Sequence, residues 1–228
     1  MVDKQYRYEL KYLISRTDGE ILKKKLRLLM PLDPHSISQN YSYLIRSLYY
    51  DDIYNKAFYE KVDGIEYRKK FRIRAYNYDN QIIKLECKHK DDNYTYKRSA
   101  NLTYQQYLDI LNKKFDNLPD DVLINEFVNQ IKYYSLQPSV IVEYIRTAFV
   151  YPTSEVRITF DENIRAAKSR EDMFSRYIFT RSIMPKDQIV LEIKCNEYIP
   201  EHILKVLESI PKTRQAVSKF AYCKTVVE

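Results

Sequence analysis

In YRKKFRIRAY, residues 67–76, five of ten side chains are cationic. Side chains on an extended strand alternate between faces. Arg68, Lys70, Arg72 and Arg74 therefore share one side, and Phe71, Ile73 and Ala75 take the other. A row of like charges repels itself unless carboxylates or an anionic ligand neutralise it. Arginine forks match phosphate oxygens with two parallel hydrogen bonds. The chemistry that suits such a row is anion binding.

The same alternation recurs along the chain. In QIIKLECKHK, Lys84, Glu86, Lys88 and Lys90 oppose Ile83, Leu85, Cys87 and His89. Glu9 and Lys11 oppose Tyr8, Leu10 and Tyr12, with Tyr6 and Arg7 extending the same pattern. Arg157, Thr159 and Asp161 oppose Val156, Ile158 and Phe160, while Glu192 and Lys194 oppose Leu191, Ile193 and Cys195. Arg146 shares a face with Tyr144. Tyr49 and Tyr144 are expected to be packing residues.

These residues need a scaffold of strands, expected at 5–14, 43–51, 66–76, 81–90, 94–102, 139–150, 155–163 and 188–195, with a hairpin turn at 91–93. Helical spacing covers 17–30, 103–114, 120–133, 200–209 and the tail at about 213–226. Strands outnumber the crossover helices of a parallel sheet, so the fold class is α+β with a large antiparallel sheet, read as one domain over 1–228. Two arrangements of the charged faces stay open at this level. One is a sheet with a wet face. The other is a closed barrel with charged faces inward around an aqueous tunnel and helices on its apolar outside. Five helical segments with apolar stripes favour the second.

Composition narrows the chemistry. The chain has 228 residues, 45% of them apolar, and a net charge of +7, which invites an anionic partner without naming it. Its 23 tyrosines and absence of tryptophan fit either a stacking surface or compositional drift. Two glycines, Gly19 and Gly64, exclude a P-loop, a dinucleotide fingerprint and a glycine-rich kinase loop, so if the protein handles nucleotides it must grip their phosphates with side chains. Cys87, Cys195 and Cys223 form no CxxC pair, and His35, His89 and His202 are isolated in sequence; neither a disulfide framework nor a zinc site is expected. MVDKQYRYEL lacks a signal-peptide core, and no apolar run spans a bilayer, so a soluble, cytoplasmic protein is expected.

Taken in order, RYELKYLI, SLYYDD, YRKKFRIRAY, LECKHK, EYIRTAF, VRITFDENI, VLEIKC and SKF resemble the polyphosphate polymerase domain of the vacuolar transporter chaperone (VTC) family. That domain is a member of the triphosphate tunnel metalloenzyme, or CYTH-like, superfamily. The resemblance runs from Tyr6 to Phe220. It implies an eight-stranded antiparallel β tunnel, a closed barrel with helices packed outside. It further implies Mn²⁺ or Mg²⁺ as cofactor, and transfer of the terminal phosphoryl group of ATP, or another nucleoside triphosphate, to inorganic polyphosphate. By resemblance, Arg72, Arg74, Lys88, Arg146 and Lys219 act on the transferred phosphate. Lys11, Lys97, Arg157 and Lys194 join them in binding substrate, with Arg98 the alternative to Lys97 at the tunnel mouth. Glu192 and Glu9 fall at the metal. A separate membrane protein is a further partner that the family allows, with the domain then peripheral to a membrane.

One departure bears on the reaction. Hydrolytic members often carry E-x-E-x-K on the first strand, whereas this chain reads Arg7-x-Glu9-x-Lys11. A cation in the first place fits polymerisation better than water activation. The competing functions are hydrolysis of a triphosphate and non-catalytic polyanion binding. Nucleic-acid recognition has charge and tyrosines in its favour but no motif, and no nucleic-acid partner is expected.

Overall fold

The computed structural model describes residues 8–37, 41–91, 94–196 and 198–227. Tyr6 and Arg7 of the first expected strand, and residues 92–93 of the expected hairpin, lie outside them. The strands are β1 (Tyr8–Ser15), β2 (Tyr43–Asp51), β3 (Arg68–Tyr76), β4 (Asp79–Asp91), β5 (Tyr94–Leu102), β6 (Gln137–Tyr151), β7 (Val156–Lys168), β8 (Arg181–Ser182), β9 (Gln188–Cys195) and β10 (Thr213–Arg214). The helices are α1 (Arg16–Arg27), α2 (Pro34–Ile37), α3 (Lys56–Val62), α4 (Tyr104–Leu111), α5 (Val122–Tyr134), α6 (Glu201–Glu208) and α7 (Lys219–Val227).

Among the described residues the hydrogen-bonded strand order is β10-β1-β9-β7-β6-β2-β3-β4-β5, with β8 on β7. The eight expected strands are the eight long ones; β8 and β10, of two residues each, bring the number to ten. The order ends at β10 and β5, so hydrogen bonds do not close it. The α+β class and the antiparallel pairing are as the sequence predicts.

The chain forms two compact units. The first comprises Met1–Leu44, Tyr144–Ile164 and Ser182–Ser218. Its core is the apolar face of β1, β7 and β9, including Ile14, Ile158, Phe160, Leu191 and Ile193, covered by Leu22 and Leu26 of α1 and Ile203 and Leu207 of α6. Ser15 starts α1 by accepting the Asp18 N–H at 3.0 Å. Gly19 lets that helix sit close on β9, because a Cβ there would meet Ile189 Cδ1 at 2.6 Å.

The second unit comprises Ile45–Glu143, Arg165–Arg181 and Lys219–Glu228. Phe71, Ile73, Leu85, Cys87 and Leu102 form its apolar sheet face, under Tyr107 and Ile110 of α4 and Leu123, Ile124 and Phe127 of α5. Thr103 and Gln106 close a capping box on α4, and Asp121 accepts the Leu123 and Ile124 N–H groups of α5. Asn77 and Tyr78, both at positive φ, make the tight β3–β4 turn that a two-residue hairpin needs. Both units thus have helices on the apolar sheet face, which leaves the charged alternates on the other.

The expected tail helix starts later than its spacing predicts. Thr213 and Arg214 instead pair with Leu13 and Tyr12 of β1, where Gln215 N–H donates to the Lys11 carbonyl at 3.0 Å. Helix α3 has no expected counterpart, because no residue in it is buried and it carries no apolar stripe. Carboxylates start it instead: Asp52 Oδ1 accepts from Lys56 N–H, and Asp51 accepts from the Ala57 and Phe58 N–H groups. None of the described helices is long and apolar enough to cross a membrane.

Candidate phosphate-binding site

In the second unit, register turns the alternation of single strands into rows of charge. Lys70 of β3 lies directly across from Lys88 of β4, and Lys88 from Lys97 of β5. Arg68 is opposite Lys90, Arg74 opposite Lys84, and Arg72 opposite Glu86. Like charges directly opposite on a sheet destabilise it. Along these three strands the charged face holds Arg68, Lys70, Arg72, Arg74, Lys84, Lys88, Lys90 and Lys97 around the buried carboxylate of Glu86.

Glu86 is the hub of that face and is almost fully buried. Arg72 Nε reaches its Oε2 at 2.7 Å, Arg74 Nε the same oxygen at 3.7 Å, and Lys97 Nζ its Oε1 at 2.6 Å. Burial alone would raise the Glu86 pKa, but Arg72, Arg74 and Lys97 outweigh it and hold the carboxyl well below the usual range. Burial and the two arginines push Lys97 the other way, downward, against the pull of Glu86. Three cations thus share the buried carboxylate of Glu86, Arg74 buried beside it and Lys97 half exposed. An anion with several oxygens satisfies that arrangement.

Further contacts orient the arginines. Arg72 donates to Tyr49 Oη at 2.7 Å and Arg74 to Ser47 Oγ at 3.3 Å. The Tyr49 ring packs 5.1 Å from Phe220 of α7, and Lys70 Nζ lies 4.8 Å from the Phe220 ring centre. Tyr49 therefore both packs and holds an arginine of the cluster. Lys219 opens α7 in this same unit. That helix is fixed by buried Lys224, whose Nζ meets Asp51 at 3.1 Å, Asn55 at 2.6 Å and Ser139 at 2.8 Å.

The first unit's charged face is mixed. Arg146 grips Asp161 with two bonds, at 2.6 and 2.8 Å, and lies 3.6 Å from Glu192. Burial would lower the Arg146 pKa, yet Asp161 outweighs it and raises it well above its ordinary value. Glu192 meets Lys194 Nζ at 2.9 Å, and Glu9 meets Lys11 Nζ at 2.9 Å. Register places Lys11 across from Glu192, Glu9 across from Lys194, and Thr159 across from Glu192. Arg157 bonds Asp33 at 2.6 Å and Tyr43 Oη at 3.3 Å. The carboxylates of Glu9, Asp161 and Glu192 and the hydroxyl of Thr159 are all oxygen donors. The Thr159 hydroxyl, moreover, is buried without a hydrogen-bond partner among the described residues. That donor set fits a hard divalent cation such as Mg²⁺ or Mn²⁺.

The expected residues thus fall into two groups. Arg72, Arg74, Lys88 and Lys97 share the second unit's cationic face, with Lys219 in the same unit. Lys11, Arg146, Arg157, Lys194, Glu192 and Glu9 belong to the first unit. Of the pair at the β5 entry, Lys97 is on the charged face. Arg98 is on the other, bonded to Glu126 of α5 and 3.0 Å from His89 Nε2. Cys87, His89 and Glu126 have ligand atoms within 4.8 Å of one another, but the Arg98 guanidinium already contacts two of the three. A cavity of about 410 Å³ in the second unit is lined by Arg68, Lys70 and Lys90 together with Tyr67 and Tyr134.

Single-strand patterning puts Glu86 and Asp161 on charged faces without assigning them a role in these clusters, reads Tyr49 only as packing, and gives no sign of Asp33. Glu86 was legible in principle: once the Asn77-Tyr78 turn fixes register, the lone carboxylate of β4's charged face falls opposite Arg72. Asp33 carried no such signal, since it precedes α2 outside any long strand.

Comparison with known proteins agrees with this architecture. A crystal structure of a Bacillus halodurans protein, provisionally named an adenylate cyclase, superposes with a TM-score of 0.52 at 14% identity, covering 90% of this chain and 87% of that one. At that identity the likeness is one of fold. A provisionally named adenylate cyclase from Vibrio parahaemolyticus gives 0.45 at 10% identity, covering 89% of this chain and 82% of the other. A conserved protein from Pyrococcus furiosus gives 0.46 at 10% identity, covering 89% and 88%. No curated protein sequence matches. The family model described as the VTC domain matches residues 6–227, nearly the whole length, and the chain therefore belongs to the VTC domain family.

Proposed function

We propose that the chain is one VTC-type domain that works as a metal-dependent polyphosphate polymerase. It transfers the terminal phosphoryl group of ATP to the end of an inorganic polyphosphate chain. The observation that carries this reading is the row Lys70–Lys88–Lys97 beside Arg72 and Arg74, gathered around the buried carboxylate of Glu86. Such a row has the spacing and charge for a chain of phosphates rather than for one anion. The eight-stranded tunnel closed around the substrate belongs to the proposal.

In the reaction, a terminal phosphate oxygen of the acceptor attacks the γ-phosphorus. The bond from that phosphorus to the β–γ bridging oxygen breaks, and ADP leaves with its electron pair. A new P–O–P link forms at the chain end. The acceptor oxygen is already anionic near neutral pH, so no strong general base is required. Arg72, Arg74, Lys88, Lys97 and Lys219 bind and neutralise phosphate oxygens, and Lys11, Arg146, Arg157 and Lys194 do so in the first unit. An ion pair at ~4 Å is worth about 4 kcal/mol at an effective dielectric of 20, against about 1 in water, so burial of Arg74 and Arg146 matters. Glu192 and Glu9 would hold the divalent cation, which when bound neutralises phosphate charge and fixes phosphate geometry.

The test is incubation of the purified chain with ATP and Mn²⁺, with products resolved by gel and by phosphate release. Long polyphosphate with ADP supports the proposal. Free phosphate alone identifies a triphosphatase, and tight polyphosphate binding without turnover identifies a binding module.

A further inference from the structure

Thr159 is a buried polar residue with an unexplained hydroxyl. It lies on β7 between Arg157 and Asp161, on the charged face, and its side of the strand is settled by Ile158 and Phe160 in the core. It is 1% exposed, and its Oγ1 has no hydrogen-bond partner among the described residues. Its neighbours are all engaged. Arg157 bonds Asp33, Asp161 bonds Arg146, and Glu192 meets Lys194. Valine has nearly the same shape and strong strand preference, and at this position it would bury no unsatisfied oxygen. A hydroxyl buried at that cost marks a place where an oxygen is used by something the described residues do not supply.

The register names the neighbour with which it would be used. Thr159 is the direct cross-strand partner of Glu192, and Glu192 is in turn paired with Lys11 of β1. Directly opposed residues on one face have Cβ atoms roughly 4.5–5.5 Å apart, so the two side-chain oxygens can serve one small ligand. A neutral hydroxyl beside a carboxylate is a familiar pair for a hard divalent cation, which takes oxygen ligands and tolerates a mixture of charged and neutral ones. The surrounding cations make the mixture significant. Lys11, Arg146 and Lys194 crowd Glu192, and a ligand without charge adds a coordinating oxygen without adding another acid for those cations to pair with.

We infer that Thr159 is a ligand-sphere residue of the divalent-cation site, supplying its hydroxyl oxygen together with the carboxylate of Glu192. The inference rests on the placement of the cation at Glu192 proposed above. Thr159 touches the cation and has no role in building the fold.

The experiment measures Mn²⁺ affinity of the full chain directly, by titration with electron paramagnetic resonance detection of free Mn²⁺. It compares the unaltered protein with Thr159→Val, Thr159→Ser and Glu192→Gln, and follows the thermal midpoint of each without metal. Thr159→Val is expected to bind Mn²⁺ about 10-fold more weakly, the lower end of what loss of a supporting metal contact costs. Its midpoint stays the same or rises, because no hydrogen bond is lost. Thr159→Ser keeps the oxygen and binds as the unaltered protein does. Unchanged Mn²⁺ affinity in Thr159→Val, with affinity lost in Glu192→Gln, overturns the inference and leaves the proposed cation site standing. Unchanged affinity in both variants, or no Mn²⁺ binding by the unaltered protein, removes the cation site itself and the inference with it. Weak binding in both Thr159 variants with lowered midpoints assigns the residue a structural role and also overturns it.

Discussion

Lys70 stands directly across the β3–β4 ladder from Lys88, two ammonium-bearing residues in register on one sheet face, and Lys97 continues the row on β5. Opposed like charges cost a sheet roughly 0.2–1 kcal/mol each relative to neutral pairs. On the proposed function, that cost is offset once a polyanion binds, and the offset would separate a phosphate site from an ordinary solvated face.

The middle lysine exposes that trade most directly. Lys88→Met removes the charge that faces both neighbours and keeps the length of the side chain. Its thermal midpoint in low salt is expected to rise by about 1–3 °C for a chain of this size. Its affinity for inorganic tripolyphosphate is expected to fall at least about 10-fold, the equivalent of ~1.4 kcal/mol. Calorimetric titration beside a melting curve measures both. A lower midpoint with unchanged affinity contradicts the assignment.

Glu86 links stability to pH. Its folded pKa lies below the unfolded value of about 4.3, because Arg72, Arg74 and Lys97 overcome the effect of burial. The unfolded chain therefore binds more protons in acid. The stability that Glu86 contributes is fully present above the unfolded pKa and drains away as pH falls below about 4–5. Melting curves from pH 7 to pH 3 should show a steeper acid loss in the unaltered protein than in Glu86→Gln. At pH 7 that variant should be the less stable by about 3 kcal/mol, since it leaves buried cations without their carboxylate. Added tripolyphosphate should recover part of the difference.

Arg72→Lys isolates the fork geometry from the charge. Lysine keeps the positive charge but cannot make the paired bonds to Glu86 and Tyr49 at 2.7 Å, nor grip a phosphate bidentately. Turnover of ATP is expected to drop by about 100-fold, with a thermal midpoint within a few degrees of the unaltered protein. Steady-state kinetics and a melting curve decide it. Near-normal turnover would show that charge alone suffices there.

On the opposite face, Arg46 bonds Glu143 and donates to the Met173 carbonyl at 3.0 Å and the Ser175 carbonyl at 2.6 Å, all within the second unit. This ion pair anchors residues 173–175, on the face away from the proposed phosphate site. Arg46→Met should cost about 3–5 kcal/mol in urea unfolding, because Glu143 is left buried and charged. The double variant Arg46→Met with Glu143→Leu should regain much of that loss. Equal instability of the single and double variants would show that the carbonyl contacts, and not the charge pair, hold the segment.

Much of this was legible from the chain. Period-two alternation placed Arg72, Arg74, Lys88, Arg157, Glu192 and Lys194 on charged faces, and the structure keeps each there. The same alternation separated the core, since Phe71, Ile73, Leu85 and Ile193 all lie under helices. What alternation cannot fix is pairing between strands. Glu86 as the partner of three cations, and Thr159 as the neighbour of Glu192, depend on register. Arg46 and Lys224 were invisible for a different reason. Each is a cation on an otherwise apolar or helical stretch, buried only because a distant carboxylate receives it. Helix α3 escaped because carboxylates of Asp51 and Asp52, and no apolar stripe, begin it.

The central claim is that this cationic face serves chain growth from ATP. The most direct measurement is polyphosphate length and ADP yield after the purified chain is incubated with ATP and Mn²⁺, set beside Arg74→Ala and Glu192→Gln. The account predicts polyphosphate with one ADP for each phosphate incorporated in the unaltered protein, and neither product in the folded variants. Release of free phosphate without polymer, or full activity in either variant, would contradict it.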